Sequence, residues 1–281
     1  MSTLADKTLL ITGATRGIGR AIALRAAQDG ARIAVIGKTS TPHPHLPETV
    51  FSTCEAIERA GGRALPCVSD VRSETRMASV VEETVRAFGG IDLLVNNASA
   101  IQLTNTDETE IKRFDLMHQV NARATFLMSK LCAPYLRKSK SPQILTLSPP
   151  LRLEPQWFGA HLAYSLSKYG MSLCTLGLAA EFKADGIAVN SLWPRTLIAT
   201  SAVKHLIEGT TPFKNARTPQ IVADAAYALL TQKAGFCTGE FLLDEEALKR
   251  VGVTDFTPYS HVSGQPLMKD LFVEGPPLLE P

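Results

Sequence analysis

The stretch Thr12-Gly13-Ala14-Thr15-Arg16-Gly17-Ile18-Gly19 decides how this 281-residue chain is read. It follows the apolar run Leu9-Leu10-Ile11. It leads into an amphipathic segment over about 17–29, with Ile18, Ala21, Ile22 and Leu24 on one side. Glycines at 13, 17 and 19 permit a tight turn and let a ligand approach the backbone closely. The free N–H groups and positive dipole end of the helix that follows suit a phosphate. Strand, glycine turn and helix in this order open a dinucleotide-binding α/β fold. The spacing is GxxxGxG rather than GxGxxG.

Outward from this unit, short apolar runs alternate with longer amphipathic ones. Strands are expected at 32–36, 64–68, 91–95, 144–147, 187–192 and 241–243. Helices are expected at 51–60, 73–88, 108–138, 162–183 and 218–230. Strands that are apolar at consecutive positions belong to a parallel sheet covered on both faces. The expected fold is therefore α/β, a single Rossmann-type doubly wound parallel sheet with helices on both faces. It spans residues 1–244, and 245–281 form a less regular C-terminal extension ending in the loose run Gly275-Pro276-Pro277.

Composition sets the outer bounds. Hydrophobic residues make up 45% and charged residues 20%, as in ordinary globular proteins. A net charge of +2 gives no electrostatic ground for nucleic acid or an anionic membrane. No apolar run reaches the roughly 18 residues a membrane span needs. The first residues lack the basic and apolar regions of a secretory signal. The five cysteines are scattered, and none is spaced as CxxC, so they read as reduced thiols in a cytoplasmic protein without a zinc site. His43-Pro44-His45 has no carboxylate cluster beside it and carries no metal expectation.

Two further motifs join the first. Asn96-Asn97-Ala98 follows the fourth strand, and Tyr164-Ser165-Leu166-Ser167-Lys168 opens a long helix. In this order the three motifs resemble those of the short-chain dehydrogenase/reductase family, over about residues 7–244. The resemblance implies an oxidoreductase that takes a nicotinamide cofactor at Gly13, Ala14, Thr15, Arg16, Gly17, Ile18, Gly19, Asp70, Val71, Asn97, Ala98, Tyr164, Lys168 and Thr196. An acidic residue at the end of the second strand would bind the 2′-OH of NAD, but Gly37-Lys38-Thr39 stands there. Lys38, with Arg16, suits the 2′-phosphate of NADP(H) instead of NAD(H).

Tyr164 and Lys168 are four apart and share one helix face. A phenol of pKa about 10 is a poor acid–base group near neutrality. An adjacent ammonium, with the positive nicotinamide of the oxidised cofactor, is expected to lower that pKa, so that Tyr164 exchanges a proton with a substrate oxygen while the cofactor exchanges the hydride. The family's helix-opening asparagine falls on Asn121. The family's substrate-holding serine is where the chain departs. Ser148-Pro149-Pro150 replaces the usual double serine, leaving Ser148 to substitute or the hydroxyl to be lost. Pro194-Arg195 departs from the family's Pro-Gly, and Arg195 could reach a substrate anion.

The expected substrate loops, 151–162 and 197–213, carry Leu151, Leu153, Trp157, Phe158, Leu197, Ile198 and Val203, which suit a hydrophobic alcohol or carbonyl compound. Phe126, Leu127, Leu173 and Leu176 lie on helices that pair across a two-fold axis in the family, implying a homodimer or homotetramer. The two departures keep a second reading open, a non-catalytic NADP-binding sensor or scaffold on the same fold.

Overall fold

The computed structural model describes residues 3–44, 47–201, 203, 211–232 and 237–274. Seven strands form one sheet: β1 (Thr8–Thr12), β2 (Arg32–Gly37), β3 (Arg63–Val68), β4 (Leu93–Asn96), β5 (Gln143–Thr146), β6 (Ala188–Trp193) and β7 (Phe241–Leu243). Their order is β3-β2-β1-β4-β5-β6-β7, and every pairing is parallel. The order reverses at β1, which opens a crevice at the carboxyl ends of β1 and β4.

The helices are α1 (Gly17–Ala27), α2 (Val50–Arg59), α3 (Glu74–Phe88), α4 (Ile111–His118), α5 (Ala124–Leu136), α6 (Gln156–Gly159), α7 (Leu162–Glu181), α8 (Gln220–Leu230) and α9 (Asp244–Lys249). Successive side chains of a strand point to opposite faces. Leu9 and Ile11 enter a cluster with Ile22 of α1, Ile57 of α2 and Leu229 of α8. Leu10 enters a cluster with Val80 of α3, Met128 of α5 and Leu178 of α7. Both faces are therefore buried, which is why β1 is apolar without alternation. Pro66 is tolerated because β3 is an edge strand.

Two segments differ from the sequence expectation. The helix expected over 108–138 starts at Ile111 and is broken by a π turn, Gln119–Arg123, between α4 and α5. The extension after β7 begins with a regular helix, α9, whose Glu246 carboxylate accepts the Leu243 N–H at 3.0 Å. The chain then returns across the molecule. Met268 N–H donates to Asn215 at 2.8 Å, and Leu197 N–H donates to Met268 at 2.9 Å. This return builds a third apolar cluster, in which Phe272 and Val273 join Tyr164, Tyr169 and Trp193. The expected loose run at 275–277 lies outside the described residues.

Candidate active site

The glycine turn after β1 is shaped by what surrounds it. Gly13 and Gly17 have φ of +67° and +55°, a region that favours glycine. A side chain at Gly13 would bring its Cβ to 2.9 Å from Ala98 Cα, and one at Gly19 to 2.4 Å from Asn97 Nδ2. Asn97 clasps the turn: its Nδ2 donates to the Thr12 and Gly13 carbonyls at 2.9 and 3.0 Å. Thr12 Oγ1 accepts the Asn97 and Ala98 N–H groups, both at 3.0 Å. Ala14 and Gly19 do not line the crevice; Ala14 is buried, its N–H donating to the Ile36 carbonyl at 3.1 Å.

Two adjoining cavities share Gly13, Thr15, Arg16, Ala98 and Ser99. The larger, of about 440 Å3, runs past Gly17 and Ile18 to Tyr164 and Lys168. The smaller, of about 300 Å3, ends among Lys38, Ser69, Asp70 and Val71. The trough fits an extended dinucleotide. Gly13 and Gly17 carry no side chain where the backbone turns, and two buried hydroxyls near its ends, Ser69 Oγ and Thr196 Oγ1, have no partner among the described residues. Thr196 itself is fully buried beside the cavity, whose wall at this point is Pro194 and Ile198.

At the smaller end, Lys38 Nζ lies 3.3 Å from Asp70, and its side chain is 65% exposed. Arg16 reaches across to donate to Thr39 Oγ1 at 2.6 Å. Arg72 grips Asp70 through Nε and a terminal nitrogen, which holds the Asp70 carboxyl well below the usual carboxylate range. Both cations expected to face a phosphate therefore border one pocket.

At the larger end, Tyr164 and Lys168 are buried side by side on α7. Lys168 Nζ donates to the Leu147 carbonyl at 2.8 Å and lies 5.1 Å from the centre of the Trp193 ring. Burial pushes Lys168 down to about 7, against the opposing pull of Asp270. Burial, then Asp270, raises the Tyr164 phenol above its ordinary range. The lowered phenol is expected with the positive nicotinamide of the oxidised cofactor beside it; in the protein alone, desolvation raises it.

Asn121 sits in the π turn and does not line the cavity. Its Oδ1 accepts the Ala100 N–H at 2.8 Å, and its Nδ2 donates to Ala100 O at 3.0 Å and Ser167 Oγ at 2.8 Å. It thus ties the segment after β4 to α7 one residue before Lys168. Ser148 requires a correction. Its hydroxyl lies 2.8 Å from Ser191 Oγ, which donates to Thr175 Oγ1 at 2.9 Å, and Ser148 is absent from the cavity wall. Pro149 and Pro150 fix the chain beyond it, and Ser172 Oγ holds the Pro149 carbonyl at 2.6 Å. Arg195 likewise turns from the cavity, pairing with Glu245 at 3.2 Å and Glu246 at 3.6 Å.

The loop at 151–162 contributes Leu151, Trp157 and Phe158 to the third cluster, while Leu153 is 81% exposed. Arg152 is paired with Glu274. Of the loop at 197–213, residues 202 and 204–210 lie outside the described residues, as does His45 of the His-Pro-His run. No group of three metal-ligating side chains occurs among the described residues, and no described helix is long and apolar enough to cross a membrane. Sequence reasoning missed Trp193, Asp270 and Phe272. Asp270 lines the cavity with Tyr164 and Lys168, yet comes from a segment without periodic pattern. A lone acid before Leu271-Phe272-Val273 is its only mark in the sequence.

Residues 7–210 match the short chain dehydrogenase family. The chain belongs to that family. Hydroxysteroid dehydrogenase-like protein 2 of Xenopus laevis is 54% identical to this short-chain dehydrogenase over 274 residues, 98% of this chain and 65% of the relative. The chain thus spans about 65% of the length of that relative. Among solved structures, one from Xanthomonas campestris described as a dehydrogenase has a TM-score of 0.93 at 50% identity, covering 98% of this chain and all of that one. A short-chain dehydrogenase of Mycobacterium paratuberculosis bound to NAD has a TM-score of 0.73 at 26% identity, covering 88% of this chain and 99% of its own.

Proposed function

We propose that the protein transfers a hydride between NADP(H) and a hydrophobic alcohol or carbonyl substrate, with Tyr164 as the acid/base. One observation carries this reading: Tyr164 and Lys168 are buried together at one end of a trough whose other end holds Lys38 and Arg16. A bound nicotinamide supplies or accepts the hydride. Glycines 13 and 17 leave room for its phosphates, and Lys38 and Arg16 favour a 2′-phosphate over a 2′-OH. Lys168, held by the Leu147 carbonyl, stands on the same helix face as Tyr164, and Asn121 fixes that face. Tyr164 gives its proton to the carbonyl oxygen in reduction and takes one from the alcohol in oxidation.

Trp193, Ile101 and Ile198 on the cavity wall make the substrate side apolar. The hydroxysteroid wording in the relative's name fits that chemistry. The five cysteines are unpaired, which suits a reducing compartment, and we read the protein as cytoplasmic. Phe126 of α5 and Leu173 and Leu176 of α7 are exposed apolar residues, which supports a homodimer or homotetramer through these helices.

The test is a panel of hydrophobic aldehydes, ketones and alcohols assayed with NADPH or NADP by nicotinamide absorbance. We expect turnover that Tyr164→Phe lowers at least about a hundredfold while leaving the Kd of NADPH within about threefold. Tight cofactor binding with no turnover would establish the second reading, a sensor or scaffold, which the turned-away Ser148 favours.

A further inference from the structure

Among the described residues, Asp270 is the one carboxyl group on the wall of the larger cavity, where it stands with Tyr164 and Lys168. It is partly buried, and no described ion pair involves it. Backbone contacts hold it in place. Its N–H donates to the Arg195 carbonyl at 3.1 Å, and its Oδ1 accepts the Leu271 N–H at 2.7 Å. Lys269, its neighbour, bridges to Thr196, and Trp193 Nε1 donates to Leu271 O at 2.8 Å. Two residues on, Phe272 is buried with φ of +67°, a left-handed conformation that a bulky residue adopts only when its surroundings demand it. The chain is thus bent to deliver Asp270 to this wall. Ser148, meanwhile, spends its hydroxyl on Ser191.

We propose that Asp270 is a further catalytic residue, whose carboxyl group on the wall beside Tyr164 and Lys168 donates a hydrogen bond to the substrate's carbonyl oxygen in place of Ser148. This rests on the hydride-transfer reading above. The charged and titratable groups around it are Lys168 and Tyr164 of α7, Asp244 at the start of α9, and Lys269 beside it. The Arg195 guanidinium is occupied by Glu245 and Glu246. Burial raises Asp270 to about 7; Asp244 adds to this, while its own Leu271 N–H contact and Lys168 oppose it. A neutral carboxyl also spares the Tyr164 phenolate a negative neighbour. In reduction the hydride goes to the carbonyl carbon and the Tyr164 proton to the oxygen. Asp270 keeps its proton and only polarises the C=O bond, as an oxyanion-site donor does.

Two measurements test this. The first needs no turnover. Infrared difference spectra of wild type against Asp270→Asn, at about pH 5, should show the carbonyl band of a protonated carboxylic acid, and it should fade as pH rises through about 7. A carboxylate band at about pH 5 overturns the proposal. The second uses NADPH and 4-nitrobenzaldehyde as probes. Asp270→Asn, whose amide still donates, should lower kcat less than Asp270→Ala does and flatten the fall of kcat/KM through about pH 7. Asp270→Ala should lower kcat at least about tenfold with the Kd of NADPH unchanged. Wild-type turnover that Asp270→Ala leaves intact overturns the role of Asp270 alone. A wild type that binds NADPH and shows the infrared band, yet reduces neither this aldehyde nor any member of the panel, overturns the hydride-transfer reading and the proposal with it.

Discussion

The ring of Phe272 lies against that of Tyr164, centroids 6.3 Å apart and planes 28° from parallel. Phe272 also meets Tyr169 at 5.5 Å and Trp193 at 5.9 Å, both edge-on. Phe272 therefore buttresses α7, the helix that carries Tyr164 and Tyr169. Phe272→Ala should cost about 3–5 kcal/mol of stability, the usual loss for a buried aromatic ring. Chemical denaturation measures it, and a loss under about 1 kcal/mol would show that the ring is not a packing element.

Lys38 tests the cofactor preference. Its present partner is Asp70, at 3.3 Å, and a 2′-phosphate would compete for the same ammonium. A charge-assisted contact contributes about 1.5–3 kcal/mol. Lys38→Ala should therefore weaken NADPH by about 10- to 100-fold in titration and leave NADH within about threefold. Equal weakening of both would contradict the assignment.

Gly19 tests the clasp on the turn. An added Cβ would stand 2.4 Å from Asn97 Nδ2 and 2.6 Å from the Gly13 carbonyl. Gly19→Ala should lower stability by about 1–3 kcal/mol, the range for overpacking, and weaken NADPH and NADH alike. A variant with unchanged melting temperature and unchanged cofactor binding would show that the clasp yields freely.

The carboxyl of Asp270 also makes a stability prediction with a definite sign. Its folded value, about 7, lies above the ordinary 3.8. The folded state then holds the proton more tightly than the unfolded state, so this contribution is fully present below about 4 and is lost as pH rises through about 7. Asp270→Asn escapes that loss. Its melting temperature relative to wild type should be higher at about pH 8 than at about pH 5, by differential scanning calorimetry. An offset equal at both pH values would contradict the raised carboxyl.

The fold was legible because strand, glycine turn and helix each leave a local mark. Leu9 to Ile11 are apolar in succession, and both faces of β1 are covered. Tyr164 and Lys168 were legible for the same reason, since four-residue spacing places them on one face wherever the helix goes. What was not legible depends on the path of irregular backbone. The destination of the Ser148 hydroxyl follows from the two prolines after it and from Ser191, 43 residues away. Asp270 reaches Lys168 across roughly a hundred residues of chain, through backbone bonds that no periodicity announces. The break at Gln119–Arg123 lies inside an otherwise helical pattern, and only the unfavourable Asn121 hinted at it.

The return of the chain after α9 has a consequence for biosynthesis. All seven strands are encoded before residue 244, whereas Asp270 and Phe272, which complete the wall at Tyr164, follow them in the chain. On the ribosome, a nascent chain holds the complete sheet before Asp270 and Phe272 can join the cavity and its apolar flank. That wall closes in a separate step, when the segment around Met268 threads back against Leu197 and Asn215.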